Sequence, residues 1–507
     1  MGESSDKNVQ QGSYARTVKY LGIFGGAQGV SMLLNLVRNK VASVLLGVSG
    51  LSLIAIFNRT IQMFSDCTGL SLSFSAIRTV ADAYENCDAQ RVERCVRVVR
   101  SVAFLTGVVG MLLMLCVTPF ISEWIFGDNH AYYLPRFLML APVVFFMAVS
   151  NGELAILRGI KQLNKVAVYT FATALISLVV AVPLYYIMGV GGIFPTILLT
   201  AFLQMVVLLC FSCPLYRYGV SPLSPSLLRE GRDMVKLGAG YIYASILASC
   251  AMWLICAMLS DIGDGETAGL FTAGLAMVTM LPGILFAALD SEYYPRLSGV
   301  ATRASVRNAM INEQVEVQLL IQSPALMAFM VAMPVLIPLL YKSAFSPAVV
   351  MAQVAMLGMF VRTMTFPISF LPLALSDSLL FLGLESVYNV LLVVFVLSGY
   401  DAAGMLGVGV GVALAHLVDF IIVYAAAHLK YGFTLSRRVV CYFVLQLPLM
   451  LAALAVSLAG TSTFVYWIAN GVCLFLSAVI SMYMLQKYSK FFDTIVGKIK
   501  GKIGRRK

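Results

Sequence analysis

Residues 166–213 read VAVYTFATALISLVVAVPLYYIMGVGGIFPTILLTAFLQMVVLLCFSC. The stretch holds no charged side chain, and its one interruption is Gly189-Val190-Gly191-Gly192. A helix needs about 20 apolar residues to cross a bilayer. The stretch is therefore long enough to cross twice, with the glycines as the turn. Lys165 and Arg217 stand just beyond its two ends, while the turn carries no charge. Lysine and arginine collect on the cytosolic side of membrane spans, so both ends of this hairpin are expected in the cytosol and its turn outside.

The same reading extends in both directions. Apolar runs predict about 14 transmembrane helices, near 20–46, 50–75, 98–120, 136–157, 166–188, 192–213, 237–260, 267–289, 314–341, 347–373, 379–398, 402–427, 439–458 and 463–486. On that topology 29 of the 35 lysines and arginines fall at the amino terminus, on alternate loops or in the carboxyl tail, and two (Arg136 and Lys342) fall on the opposite side. Both termini are thus expected in the cytosol. The start (MGESSDKNVQQGSYARTVK) lacks the plan of a cleaved signal peptide, so the first helix is expected to act as the insertion signal.

Three short matches repeat in order: Lys19-Tyr-Leu-Gly with Lys236-Leu-Gly, Gly50-Leu-Ser-Leu with Gly269-Leu-Phe-Thr, and Gly191-Gly192-Ile193 with Ala403-Gly404-Met405. Six spans separate equivalent positions, so the repeat keeps its orientation. The expected fold is an all-α polytopic membrane protein with two six-helix bundles related by a pseudo-two-fold axis along the membrane normal, plus two carboxyl-terminal helices. The boundaries are a cytosolic amino terminus at 1–19, a first lobe at 20–213, a linker at 214–236, a second lobe at 237–427, two additional helices at 428–486 and a basic tail at 487–507.

Composition narrows the function. Of 507 residues, 60% are hydrophobic and 12% charged, and the mean hydropathy is +0.89. A soluble fold needs more polar surface. The ten cysteines show one CxxC spacing, Cys210-Phe-Ser-Cys213 at the end of an apolar run, no cysteine–histidine metal spacing appears and there are only three histidines, so neither disulfides, a metal nor a cofactor is expected. The net charge of +11 flanks membrane spans, which points to anionic lipid headgroups rather than nucleic acid. No phosphate-binding GxxxxGK[ST] run occurs, and no loop is long enough for a soluble catalytic domain. Transport would then draw on an ion gradient, the membrane potential or the substrate gradient.

Charges at bilayer depth carry the rest. A charge near the membrane centre costs at least ~2.5–3.5 kcal/mol. Arg38, Lys40, Arg59 and Arg362 sit inside the expected spans. They either line a wet cationic cavity or snorkel toward the interface. Gln28, Ser31 and Asn35 are spaced three and four apart and form one stripe that continues to Arg38. Arg38, Arg59, Arg362, Lys40, Asn35 and Gln28 are the candidate substrate-binding residues. Asp66, Glu153, Glu385 and Asp419 are the acids at depth, able either to carry a coupling H+ or Na+ or to pair with an arginine. His416 reads as a packing histidine, and Pro367 and Pro372 allow the tenth span to bend.

Four motifs carry a resemblance: RNKVASVLLGVSGLSL at 38–53, AILRGIK at 155–161, Gly191-Gly192-Ile193 and YYPRLS at 293–298. Together they resemble Wzx-type O-antigen and lipid-linked oligosaccharide flippases, of the polysaccharide transporter family in the multidrug/oligosaccharidyl-lipid/polysaccharide (MOP) superfamily. The resemblance implies a non-enzymatic transporter of the bacterial inner membrane. It would move an undecaprenyl-diphosphate-linked oligosaccharide from the inner to the outer leaflet by alternating access, and would work beside glycosyltransferases and a polysaccharide polymerase. Alternatives are a peptidoglycan lipid-precursor flippase, a cation-coupled multidrug exporter, and a membrane polymerase or glycosyltransferase.

Overall fold

The structure, a computed structural model, describes residues 2–69, 72–85, 89–221, 230–231, 239–263, 265–460 and 462–488, with side chains from residue 29 to residue 484 apart from short gaps. Gln28, the Lys236 side of one repeat match, Asp264 and the tail beyond 488 lie outside the described residues or side chains. Among the described residues all regular structure is helical. The helices are α1 (Gly2–Gly69), α2 (Leu72–Glu85), α3 (Ala89–Phe126), α4 (His130–Leu138), α5 (Ala141–Gly159), α6 (Leu163–Met188) and α7 (Ile193–Ser212). They continue as α8 (Ala239–Ile262), α9 (Thr267–Val300), α10 (Ala304–Leu340), α11 (Pro347–Ala374), α12 (Ser378–Tyr431), α13 (Arg437–Leu458) and α14 (Thr463–Tyr488).

Nine stretches among the described residues are long and apolar enough to cross a membrane. Four of them, of 41, 71, 49 and 54 residues, reach or exceed two crossings at ~20 residues each. Each of the four is interrupted. Gly47 breaks α1 with φ 71° and ψ −166°. A one-turn helix at Gly127–Asn129 and α4 separate α3 from α5. The turn Gly189–Gly192 parts α6 from α7, and Ala403-Gly404 breaks α12. The polytopic all-helical fold expected from the sequence is therefore present. Taking each interrupted stretch as two spans is the step from nine toward fourteen.

Two of these breaks share one conformation. Gly189 has φ 56° and ψ −133°, and Gly404 has φ 55° and ψ −137°. Only glycine adopts this region without strain, because a Cβ would collide with the chain's own backbone. The sequence match aligns Gly191-Gly192 with Ala403-Gly404; the backbone pairs Gly189 with Gly404, 215 residues apart. Beyond its break, α12 folds back on itself, and a Cβ on Gly407 would lie 1.7 Å from the carbonyl oxygen of Gly399. Small residues let helices approach this closely where lipid provides no hydrophobic drive between them.

Contacts divide the chain into two compact units, Met1–Gly269 with Leu340–Lys342, and Leu270–Leu339 with Ser343–Lys507. The repeat opens the second lobe at 237, yet α8 packs into the first unit. Trp253 Nε1 donates to Thr60 Oγ1 at 2.9 Å, and the Trp253 ring lies 5.5 Å from that of Trp124. Repeat and contact unit are thus different divisions of this chain. In the first unit, Phe57 is fully buried with Phe137 and Phe194 at 4.9 and 4.8 Å. In the second, α11 is the enclosed helix: 72% of its apolar window is buried, against 11% for α14.

Candidate functional site

In the first unit the Arg38-Asn39-Lys40 segment of α1 meets Tyr341. Lys40 Nζ donates to the Tyr341 carbonyl. Arg38 Nη2 donates to Asn39 Oδ1 at 3.3 Å, and its guanidinium has the Tyr185 and Tyr341 phenols as electrostatic neighbours. Lys40 is therefore occupied by a backbone carbonyl, and Arg38 is half-buried among tyrosines. Ser31 donates to the Thr170 carbonyl at 2.9 Å.

Arg59 differs. It is half-buried on the second half of α1 and makes no hydrogen bond or ion pair with any described residue. Asn35 likewise has no described partner. Seven residues after Arg59 and on the same face, Asp66 accepts from Gln62 Nε2 at 3.0 Å and from the Ser249 hydroxyl of α8. Asp66 thus ties two helices and does not pair with Arg59.

Glu153 has a different fate from the other acids. Arg100 donates to both of its oxygens, at 2.7 and 3.1 Å, with the two side chains 2% and 1% exposed. Arg100 Nη1 also donates to the carbonyls of Tyr216 and Arg217, both at 3.0 Å, and the guanidinium lies 5.0 Å from the Tyr218 ring. Both oxygens of Glu153 thus meet one guanidinium in a buried, bidentate pair. By charge pattern alone Arg100 belongs to a cytosolic loop. Nothing in the local pattern joins residues 100 and 153; packing of α3 on α5 does.

In the second unit, Arg362 projects from the enclosed helix α11 toward α12. Its Nη1 lies 3.4 Å from the Tyr388 hydroxyl, and its guanidinium 5.8 Å from that ring. Tyr388 stacks on His416 at 5.4 Å. His416 is buried against Gly358, where a Cβ would come within 3.0 Å of the imidazole, and its Nδ1 has no hydrogen-bond partner. Glu385 and Asp419 both have Arg362 as their positive electrostatic neighbour, yet neither forms an ion pair with it among the described residues. Tyr388 follows Glu385 by three residues and Asp419 follows His416 by three, one turn each on a shared face. Hydropathy and charge single out both acids and Arg362 but miss Tyr388; that i, i+3 spacing is the signal that could have found it.

Among the described residues, each unit thus holds a guanidinium at bilayer depth outside any ion pair. The first sits near an acid already held by neutral donors. The second sits among two acids, a phenol and an imidazole. Such guanidiniums can bind an anion by charge-assisted hydrogen bonds.

A sequence model of the family described as "Polysaccharide biosynthesis protein" matches residues 86–350, just over half of the chain. No curated protein sequence matches. Among solved structures, the lipid II flippase MurJ in an inward closed conformation superposes with a TM-score of 0.69 at 12% identity, over 93% of this chain and 99% of that one. An inward-facing multidrug resistance MATE family transporter of the MOP superfamily gives 0.68 at 15% identity, over 79% and 94%. A MOP superfamily transporter from Pyrococcus furiosus, described as having a binding pocket of reversed polarity, gives 0.58 at 15% identity, over 82% and 96%. Built on the fold of MOP-superfamily membrane transporters, this chain belongs to the polysaccharide biosynthesis protein family.

Proposed function

We propose that the protein is a flippase for an undecaprenyl-diphosphate-linked oligosaccharide, moving it from the inner to the outer leaflet of the bacterial inner membrane by alternating access, with both termini in the cytosol. The observation that carries the reading is the pair Arg59 and Arg362: half-buried guanidiniums on membrane-spanning helices, neither in an ion pair with a described residue. An uncompensated cation in hydrocarbon is costly. It is retained where it meets an anion part of the time. A diphosphate carries about two negative charges and cannot cross lipid without replacement of its hydration. Guanidinium suits that replacement because its donors match phosphate oxygens in pairs. Arg38 adds positive potential, while the ties of Lys40 and Glu153 favour a scaffold role for those two side chains.

The acids around Arg362 suggest the coupling. With Glu385 and Asp419 both ionised, the cluster holds two negative charges against one positive and repels a diphosphate. Protonation of either acid removes that repulsion and frees Arg362 for the substrate. Proton uptake and substrate binding are then thermodynamically linked, each favouring the other. In the first unit, Asp66 holds α8 through Ser249.

Purified protein in liposomes, loaded with radiolabelled lipid-linked oligosaccharide, tests the reading. The sugar should become accessible to an external glycosidase while its chemical identity stays unchanged, which separates a flippase from a polymerase or glycosyltransferase. Full translocation by Arg59→Ala together with Arg362→Ala would sink the proposal. A peptidoglycan-precursor flippase is the second reading, supported by the coverage of the MurJ likeness; competition between the two lipid substrates decides between them.

A further inference from the structure

We propose that one face of α10 is a hydrated track, and that a chain of water molecules along it carries a proton from the cytosol to the level of Arg362. The destination rests on the coupling reading of Glu385 and Asp419; the hydration of the track does not.

The face is defined by Arg307, Gln314, Gln318 and Gln322, which fall within an arc of about 80° at about 100° per residue and span roughly 22 Å of helix. Gln318 and Gln322 are 1% and 0% exposed. Gln314 Nε2, Gln318 Oε1 and both polar atoms of Gln322 are buried without a hydrogen-bond partner. Other interior glutamines of the same unit are satisfied by protein. Gln353 Nε2 donates to the Met330 carbonyl and to Tyr466, each at 3.2 Å, and Gln446 Nε2 bonds the Ser477 carbonyl and the Ser481 hydroxyl at 3.2 and 3.0 Å. The row on α10 therefore stands apart. Buried amides persist when they are hydrogen-bonded, and where protein does not supply the bond, water does.

The track has a mouth and an end. Its mouth is a cavity of about 630 Å³ lined by Ala304, Arg307, Ser376, Asp377, Lys430 and Tyr431, on the side the charge pattern assigns to the cytosol. The charges there are engaged. Arg307 donates to the carbonyls of Ala301 and Tyr431 at 3.2 and 2.8 Å, and Lys430 pairs with Asp377 at 2.5 Å. The end follows from register. The bond from Gln353 to Met330 aligns α10 with the antiparallel α11. Eight residues toward the cytosol from that bond lie Gln322 on one helix and Val361, beside Arg362, on the other. Amides relay no net proton. They hold waters that pass a hydronium proton along the chain until a carboxylate accepts it.

Single cysteines at 314, 318, 322 and 320 in the full chain, with the native thiols replaced by alanine, test the track. A small hydrophilic methanethiosulfonate is applied from the cytosolic side of inverted vesicles. Gln318→Cys and Gln322→Cys should label at least tenfold faster than Leu320→Cys, which lies on another face. Equal, slow labelling at all three overturns the proposal. If the alanine background does not fold, Gln318→Leu with Gln322→Leu is made in the native background. The expected result is a folded protein whose transport falls about tenfold and no longer accelerates with an inward-to-outward proton gradient. A more stable variant with unchanged transport overturns the track, because it shows the row to be dry. Should Glu385→Gln and Asp419→Asn leave transport intact while positions 318 and 322 still label, the coupling reading fails and the hydrated face stands.

Discussion

A guanidinium inside a membrane protein can be structural or functional, and its partners decide which. Arg100 spends all its donors on Glu153 and two carbonyls. Glu153→Ala leaves that cation buried and unpaired, so the protein should lose about 3–5 kcal/mol of stability, read as a lowered thermal midpoint in detergent. Arg362 has one long bond to a phenol. Arg362→Ala should leave the fold intact and remove one charge-assisted bond to substrate, about 1.5–3 kcal/mol. That corresponds to roughly a 10–100-fold loss of transport in the liposome assay, and Arg59→Ala should behave alike. Outside the membrane, Asp377 caps α12, and Lys430 and then Tyr431 hold its carboxyl below the ordinary aspartate range. A depressed pKa contributes stability above the unfolded value and loses it as pH falls through the native one. Asp377→Asn should therefore lower the thermal midpoint at neutral pH, with the difference vanishing in strong acid.

At the scale of elements, the breaks rather than the helices are specified residue by residue. Gly47, at φ 71° and ψ −166°, stands in open space: a methyl group added to its Cα would meet no atom within 4 Å. The cost of Gly47→Ala is therefore purely conformational, about 1–3 kcal/mol. Gly29, equally open but in helical backbone, should gain up to about 1 kcal/mol on replacement by alanine. Yield of folded protein and thermal midpoint for the two variants separate these outcomes. The breaks were legible because glycine pairs interrupt charge-free runs, as at Gly189–Gly192. The boundary of the compact units was not, because α8 joins the first unit through Trp253 and Ser249 meeting Thr60 and Asp66, contacts that lie more than 180 residues apart along the chain.

For the whole molecule, sidedness is the testable quantity. Cysteine labelling at Asp401 and at Thr434 should report opposite faces of the membrane, since charge places the turn near 401 outside and the Lys430–Arg438 loop inside. Membrane class and helical architecture were determined by the sequence alone, because hydropathy and charge act on each segment through the surrounding lipid and water, whatever the rest of the chain does. Which buried charges are free was decided only by tertiary structure. Arg59, Arg100 and Arg362 are the same side chain in similar apolar surroundings; only the neighbours brought by packing distinguish a closed pair with Glu153 from a guanidinium left open among tyrosine, histidine and two acids.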